Sequence, residues 1–167
     1  MKRYIAALLA LLLVFGFSAG ALAASTEYAA TGQFIDCLQS RGVKYTYDGM
    51  SDNGKERVHV VYNGDNMDSI RIDLFFSDDN MYVSLRCWDI IHYSDADFAK
   101  VLRVCNKINN DYKYTTFYAD ESDNTVSASI DIILLEDVDC SEITRENMLR
   151  LVNIVDDNFE LLAPYDA

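Results

Sequence analysis

The chain has 167 residues, half of them hydrophobic, and a formal net charge of −13 at pH 7. That length supports one domain with a sizeable core. Such acidity disfavours nucleic acid and anionic membrane surfaces as partners, and a single proline leaves no proline-rich linker.

Residues 1–23 read as a secretory signal peptide. Lys2 and Arg3 precede an uncharged apolar stretch from Ile5 to Phe17, and Ala21, Leu22 and Ala23 form an A-x-A cleavage site. The stretch is short and wrongly flanked for a permanent span, an uncleaved anchor being the alternative. No cysteine stands at the cleavage point to take a lipid. The expected product begins at Ala24, is secreted to the periplasm or the extracellular space, and has no membrane attachment after cleavage. Loss of Lys2 and Arg3 leaves it more acidic still.

Residues 24–30 form a polar leader. Thr31 is placed to cap a helix running to about Arg41, with Phe34, Ile35 and Leu38 inward and Gly42 as its left-handed C-terminal residue. Val43 to Tyr47 reads as a first strand, ended by Asp48-Gly49 and by the turn from Ser51 to Gly54. Arg57 to Tyr62 is the second, with Val58, Val60 and Tyr62 on one side. A turn from Asn63 to Asn66 leads into the central hairpin, Ser69 to Trp88. There Ile70, Ile72, Leu74 and Phe76 alternate with Arg71, Asp73 and Phe75, and Met81, Val83, Leu85 and Cys87 resume the alternation after a polar turn. A period of two over that length predicts a pair of half-buried strands.

Asp89 to Ser94 reads as a connection. Ser94 with Asp97 resembles a capping box for a helix ending near Asn110, with Phe98, Val101, Leu102, Cys105 and Ile108 on one stripe. Lys113 to Ala119 and Thr125 to Leu135 are strands joined by a loop from Asp120 to Asn124. Ser141 caps a last helix, Glu142 to Leu162, with Met148, Leu151, Val152, Val155, Phe159 and Leu162 at helical spacing. Residues 163–167 form a tail. The order α-β-β-β-β-α-β-β-α over residues 31–162 predicts a single α+β domain, with about three helices on a largely antiparallel sheet.

The mature chain holds Cys37, Cys87, Cys105 and Cys140. Outside the membrane an even count suggests disulfides, and placement on the apolar sides of neighbouring elements favours Cys87–Cys105 with Cys37–Cys140. Four buried free thiols packing as small hydrophobes are the alternative.

No residue constellation marks a reaction. His59 and His92 lack a nucleophile or metal-ligand spacing, and the nucleophile-elbow, zincin and glycine-rich phosphate motifs are absent. The pairs Asp65/Asp68 and Asp120/Asp123 read as solvated turns, and Asp156 and Asp157 as the hydrated side of the last helix. The chain is therefore expected to be no enzyme, with no catalytic residue, cofactor or metal. The alternation does place Arg57 and His59, Arg71, Asp73 and Phe75, and Tyr82, Arg86 and Trp88 on the side of the sheet opposite the core. Arginine with aromatics is the mix enriched at interaction hot spots. On this reading Arg57, Arg71, Phe75, Tyr82, Arg86 and Trp88 bind a partner. The alternatives are a helix or a second copy covering that face, or Arg71 and Asp73 simply neutralising each other.

The run Val104 to Asn109, Phe117 to Asp120, and Val126 to Ile130 resembles the YbjN-type domain family, assigned to bacterial sensory transduction regulation. Leu38 to Tyr45 and the start of the last helix, Ile143 to Glu146, agree in position, so the resemblance covers about residues 31 to 162. It implies a fold similar to type III secretion chaperones, with helices on a sheet and frequent dimers, and it brings no cofactor or catalytic residue. Members are often cytoplasmic, and this chain departs from them in its export signal. The expected role is an exported, chaperone-like or regulatory module that binds a protein, a peptide or a second copy of itself. The alternative is an extracytoplasmic sensor of a small molecule or anion.

Overall fold

The computed structural model describes residues 25–167; the expected signal peptide and Ala24 lie outside them. Three helices and six strands follow one another as α1 (Ala29–Ser40), β1 (Thr46–Met50), β2 (Glu56–Tyr62), β3 (Ile70–Phe76), β4 (Tyr82–His92), α2 (Phe98–Asp111), β5 (Thr116–Asp120), β6 (Thr125–Ile133) and α3 (Ser141–Leu162). This is the α-β-β-β-β-α-β-β-α order of an α+β domain. The strands form one antiparallel sheet in the order β1-β2-β3-β4-β6-β5. No helix among the described residues is long and apolar enough to cross a membrane.

The layers follow from the alternation. Val58, Val60, Ile70, Ile72, Leu74, Phe76, Val83, Leu85, Val126, Ala128 and Ile130 turn to one face, where they join the buried residues of all three helices in a single core. Phe34 of α1 lies 5.6 Å from Phe76 of β3, centroid to centroid. Each such fully buried side chain contributes about 1.5–3 kcal/mol relative to exposure. The opposite face is the outside of a two-layer domain.

Several local expectations are corrected. Thr31 is no cap: it is buried inside α1, which begins after Tyr28. The free amides there are met from elsewhere, since the Glu56 carboxylate accepts the Glu27 and Tyr28 N–H groups and Asn80 Oδ1 accepts that of Ala30. The first strand starts at Thr46, and Asp48-Gly49 does not end it; the register with β2 shifts there in a bulge that Gly49 allows by adopting φ 79°. β4 runs on to His92, with a bulge between Cys87 and Ile91 where Asp89 takes φ 52°. The Ser94 hydroxyl bonds the Asp97 carboxylate, and a short 3₁₀ turn, Asp95–Asp97, precedes α2. Leu102 is exposed, and Phe159 is only half-buried. Ser141 is the first helical residue of α3, its N–H taken by Asp139.

All four cysteines are free thiols, so neither expected pairing is formed. Their sulfurs have other surroundings. Cys37 Sγ meets Glu142 Oε1 at 3.5 Å, and Cys140 Sγ accepts the Leu135 N–H. Cys87 and Cys105 are buried in the core, and burial pushes their thiols up to about 12 and about 11.

Candidate functional site

The outer face of the sheet is assembled by strand register. Cross-strand pairing sets Arg57 beside Phe75, His59 beside Asp73, Val61 beside Arg71, and Asp73 beside Arg86. Tyr82 pairs with Ile133 at the far end of β4. Arg57, Arg71, Phe75, Tyr82 and Arg86 thus share one surface, and alternation carries Trp88 onto the same side where the β4 bulge begins. The β3–β4 pairing stops at Asp73 and Arg86, so Arg71 and Trp88 flank the end of the ladder. Val61, Trp88 and Ile133 are exposed by 50 %, 46 % and 79 %.

The arginines are engaged with this chain's own carboxylates. Arg57 Nε lies 3.0 Å and His59 Nδ1 2.7 Å from Asp48 Oδ2. Arg71 grips Asp73 through Nη2 at 2.8 Å and through Nε, and also reaches His59 Nδ1 at 3.3 Å. Arg86 Nη2 meets Asp131 at 2.9 Å. Burial works to raise the Asp48 carboxyl, but His59 and Arg57 outweigh it and hold the group below its ordinary value. Asp73 holds the Arg71 guanidinium above its ordinary value. Among the described residues the one ring–cation contact joins Tyr82 to Lys55, whose Nζ sits 4.8 Å from the ring centroid.

This arrangement decides what the face can do. Asp48, His59 and Asp73 bring ligand-type atoms within 4.8 Å of one another, a set that could take a cation. Arg57 and Arg71 already occupy those carboxylates, so the positive charge a metal would supply is present as guanidinium. Each arginine on the face has an aspartate partner, so the surface is close to neutral in a strongly acidic chain. The face is thus neutral in charge, partly apolar and partly aromatic.

The sheet edges are less available. Asn109 of α2 bonds the edge strand β5 in both directions, its Nδ2 donating to the Phe117 carbonyl at 2.9 Å and its Oδ1 accepting the Phe117 N–H at 2.7 Å. Asn106, on the same helix and within the Val104 to Asn109 run, is exposed. The β1 edge is short and bulged. His92 uses only its backbone, donating to Asp166 Oδ1 and accepting the Ala167 N–H. In the Asp120 and Asp123 turn, carboxylates accept from Ser122 and Thr125, as solvated turns do.

Two acids matter that the sequence reading missed. Asp156 is buried and not hydrated: it accepts the N–H groups of Asp65, Asn66 and Met67 at 2.8, 3.0 and 2.9 Å. Burial opposes its ionisation, yet these three donors hold its carboxyl below the ordinary range. Its spacing four residues after Val152 was a signal that it shares the apolar stripe. Glu56 is wholly buried; burial again opposes ionisation, and the Tyr47 hydroxyl with the Glu27 and Tyr28 amides outweighs it. Alternation with Val58 and Val60 was the signal there.

A sequence model of the YbjN family, described as "putative bacterial sensory transduction regulator", matches residues 71–165. That is more than half of the chain, from β3 to the turn after α3, and narrower than the span of the resemblance above. No curated protein matches the chain.

Proposed function

This chain belongs to the YbjN family, and we propose that it is an exported, non-enzymatic regulatory or chaperone-like module that works by binding another protein through the outer face of its sheet. One observation carries the reading. The helices all pack on one side, which leaves a face whose charges cancel internally and whose Val61 and Trp88 stand half-exposed. Neutral ground is where an acidic protein can approach a second chain, a copy of itself included, without like-charge repulsion. Export rests on the basic, apolar and small-residue order of residues 1–23.

The test compares the wild-type mature chain with Val61→Asp/Trp88→Ala as bait for the host's exported proteins. Both positions are half-exposed, so the variant folds, which circular dichroism checks. Arg71 is spared because it holds the buried Asp73. A protein captured by the wild type and lost from the variant supports the reading. A partner retained by both, or captured by neither, overturns it.

A further inference from the structure

A second surface lies on the helix side. A groove of about 550 Å³ opens between the start of α1, the turn joining β3 to β4, and the loop from β6 to α3. That volume falls within the roughly 300–1,000 Å³ of ligand-sized clefts. The Leu134 N–H bonds the Met81 carbonyl at 2.8 Å, which carries the loop alongside the hairpin turn. Leu134 itself is buried, while Met81, Leu135 and Val138 around the groove are exposed by 46 %, 62 % and 51 %. Three large apolar side chains exposed around one cleft exceed the scattered exposure ordinary for a surface.

Charge narrows the occupant. Glu136 and Asp137 line the same groove and are exposed. At each helix start that borders it an amide already has a side-chain acceptor within the chain: Asn80 takes the Ala30 N–H and Asp139 the Ser141 N–H. An anion would therefore meet the exposed Glu136 and Asp137 carboxylates, whereas a cation beside an apolar group would be matched at both ends.

We infer that this groove binds a short apolar segment of a partner protein that carries basic residues. The inference is independent of the outer-face reading. It is tested with two fluorescein-labelled synthetic peptides, one alternating leucine with lysine and one alternating leucine with glutamate, titrated by anisotropy. The leucine–lysine peptide should bind, and the leucine–glutamate peptide should bind more weakly by about tenfold or more. Leu135→Asp/Val138→Asp separates the groove from plain attraction to an acidic protein. That variant adds negative charge, so electrostatics alone would tighten the lysine peptide, whereas loss of the groove weakens it by about tenfold. Val61→Asp/Trp88→Ala should leave this binding unchanged, which keeps the two surfaces distinguishable. Equal affinity for both peptides, or undiminished binding to Leu135→Asp/Val138→Asp, overturns the inference. So does a dimer by light scattering that this same variant converts to monomer, because the occupant would then be a second copy.

Discussion

The carboxylate of Asp156 stands where a side chain at position 64 would begin. A Cβ on Gly64 would lie 2.0 Å from Asp156 Oδ1, and the next three residues give Asp156 their N–H groups. The turn between β2 and β3 is thereby clamped to α3, and with it the end of the outer face that carries Val61 and Arg71.

Breaking the clamp from either side should loosen the domain. Gly64→Ala forces the loop off the carboxylate and should cost about 1–3 kcal/mol, the range of overpacking. Asp156→Ala removes the acceptor of three part-buried amides and should cost about 1–3 kcal/mol. Urea unfolding followed by circular dichroism measures both, and a change within error for either would contradict the clamp.

The acid side of the stability profile follows from the same groups. Asp48, Glu56 and Asp156 all have carboxyls held below their ordinary values in the fold. A lowered folded value means the unfolded state binds protons first. Their contribution is thus complete above the ordinary carboxylate range near pH 4, and is lost as pH falls through the lower folded values. Stability should be level around neutrality and drop below about pH 4. Asp156→Asn should make that drop shallower, as read from melting temperature against pH.

Arg57 and Arg71 should differ although both are partly exposed ion-pair donors on one face. Arg57 pairs with the accessible Asp48, and its loss should cost at most about 1 kcal/mol. Arg71 neutralises Asp73, whose side chain is only 6 % exposed, so Arg71→Ala leaves a buried charge and should cost about 1–3 kcal/mol. Equal costs in denaturant titration would contradict the register-built network.

Thiol counting tests the cysteine assignment. Cys37, Cys87 and Cys105 are buried, and the Cys87 and Cys105 thiols are pushed up to about 12 and about 11, far from thiolate at neutral pH. Cys140, half-buried, should be the one that reacts quickly with a disulfide reagent in the native protein. All four react once the chain is unfolded. A denatured chain with no reactive thiols would mean that the disulfides form after all.

The layer structure was readable in the sequence because it depends on local periods. Ile70 to Cys87 repeat every two residues, and Met148 to Leu162 repeat at helical spacing, whatever the rest of the chain does. The ion network was half readable: alternation placed Arg57, Arg71 and Arg86 on one face, but Asp48 entered it through a bulge that looked like the end of a strand. Asp156 reads as the hydrated side of its helix, and nothing in the sequence draws attention to Glu56, because their partners are backbone amides 28 to 91 positions away, brought near only by the packed fold. The groove escaped notice for a related reason, since its walls come from three segments far apart in the chain: the start of α1, the β3–β4 turn and the β6–α3 loop.

The central claim is that the outer face is where a second protein docks, and the one tryptophan in the chain stands on it. The most direct measurement is acrylamide quenching of Trp88 fluorescence, in the mature chain alone and in complex with the captured partner. Shielding of Trp88 with a blue-shifted emission is the predicted result. A Trp88 as quenchable in the complex as in the free chain would contradict the claim.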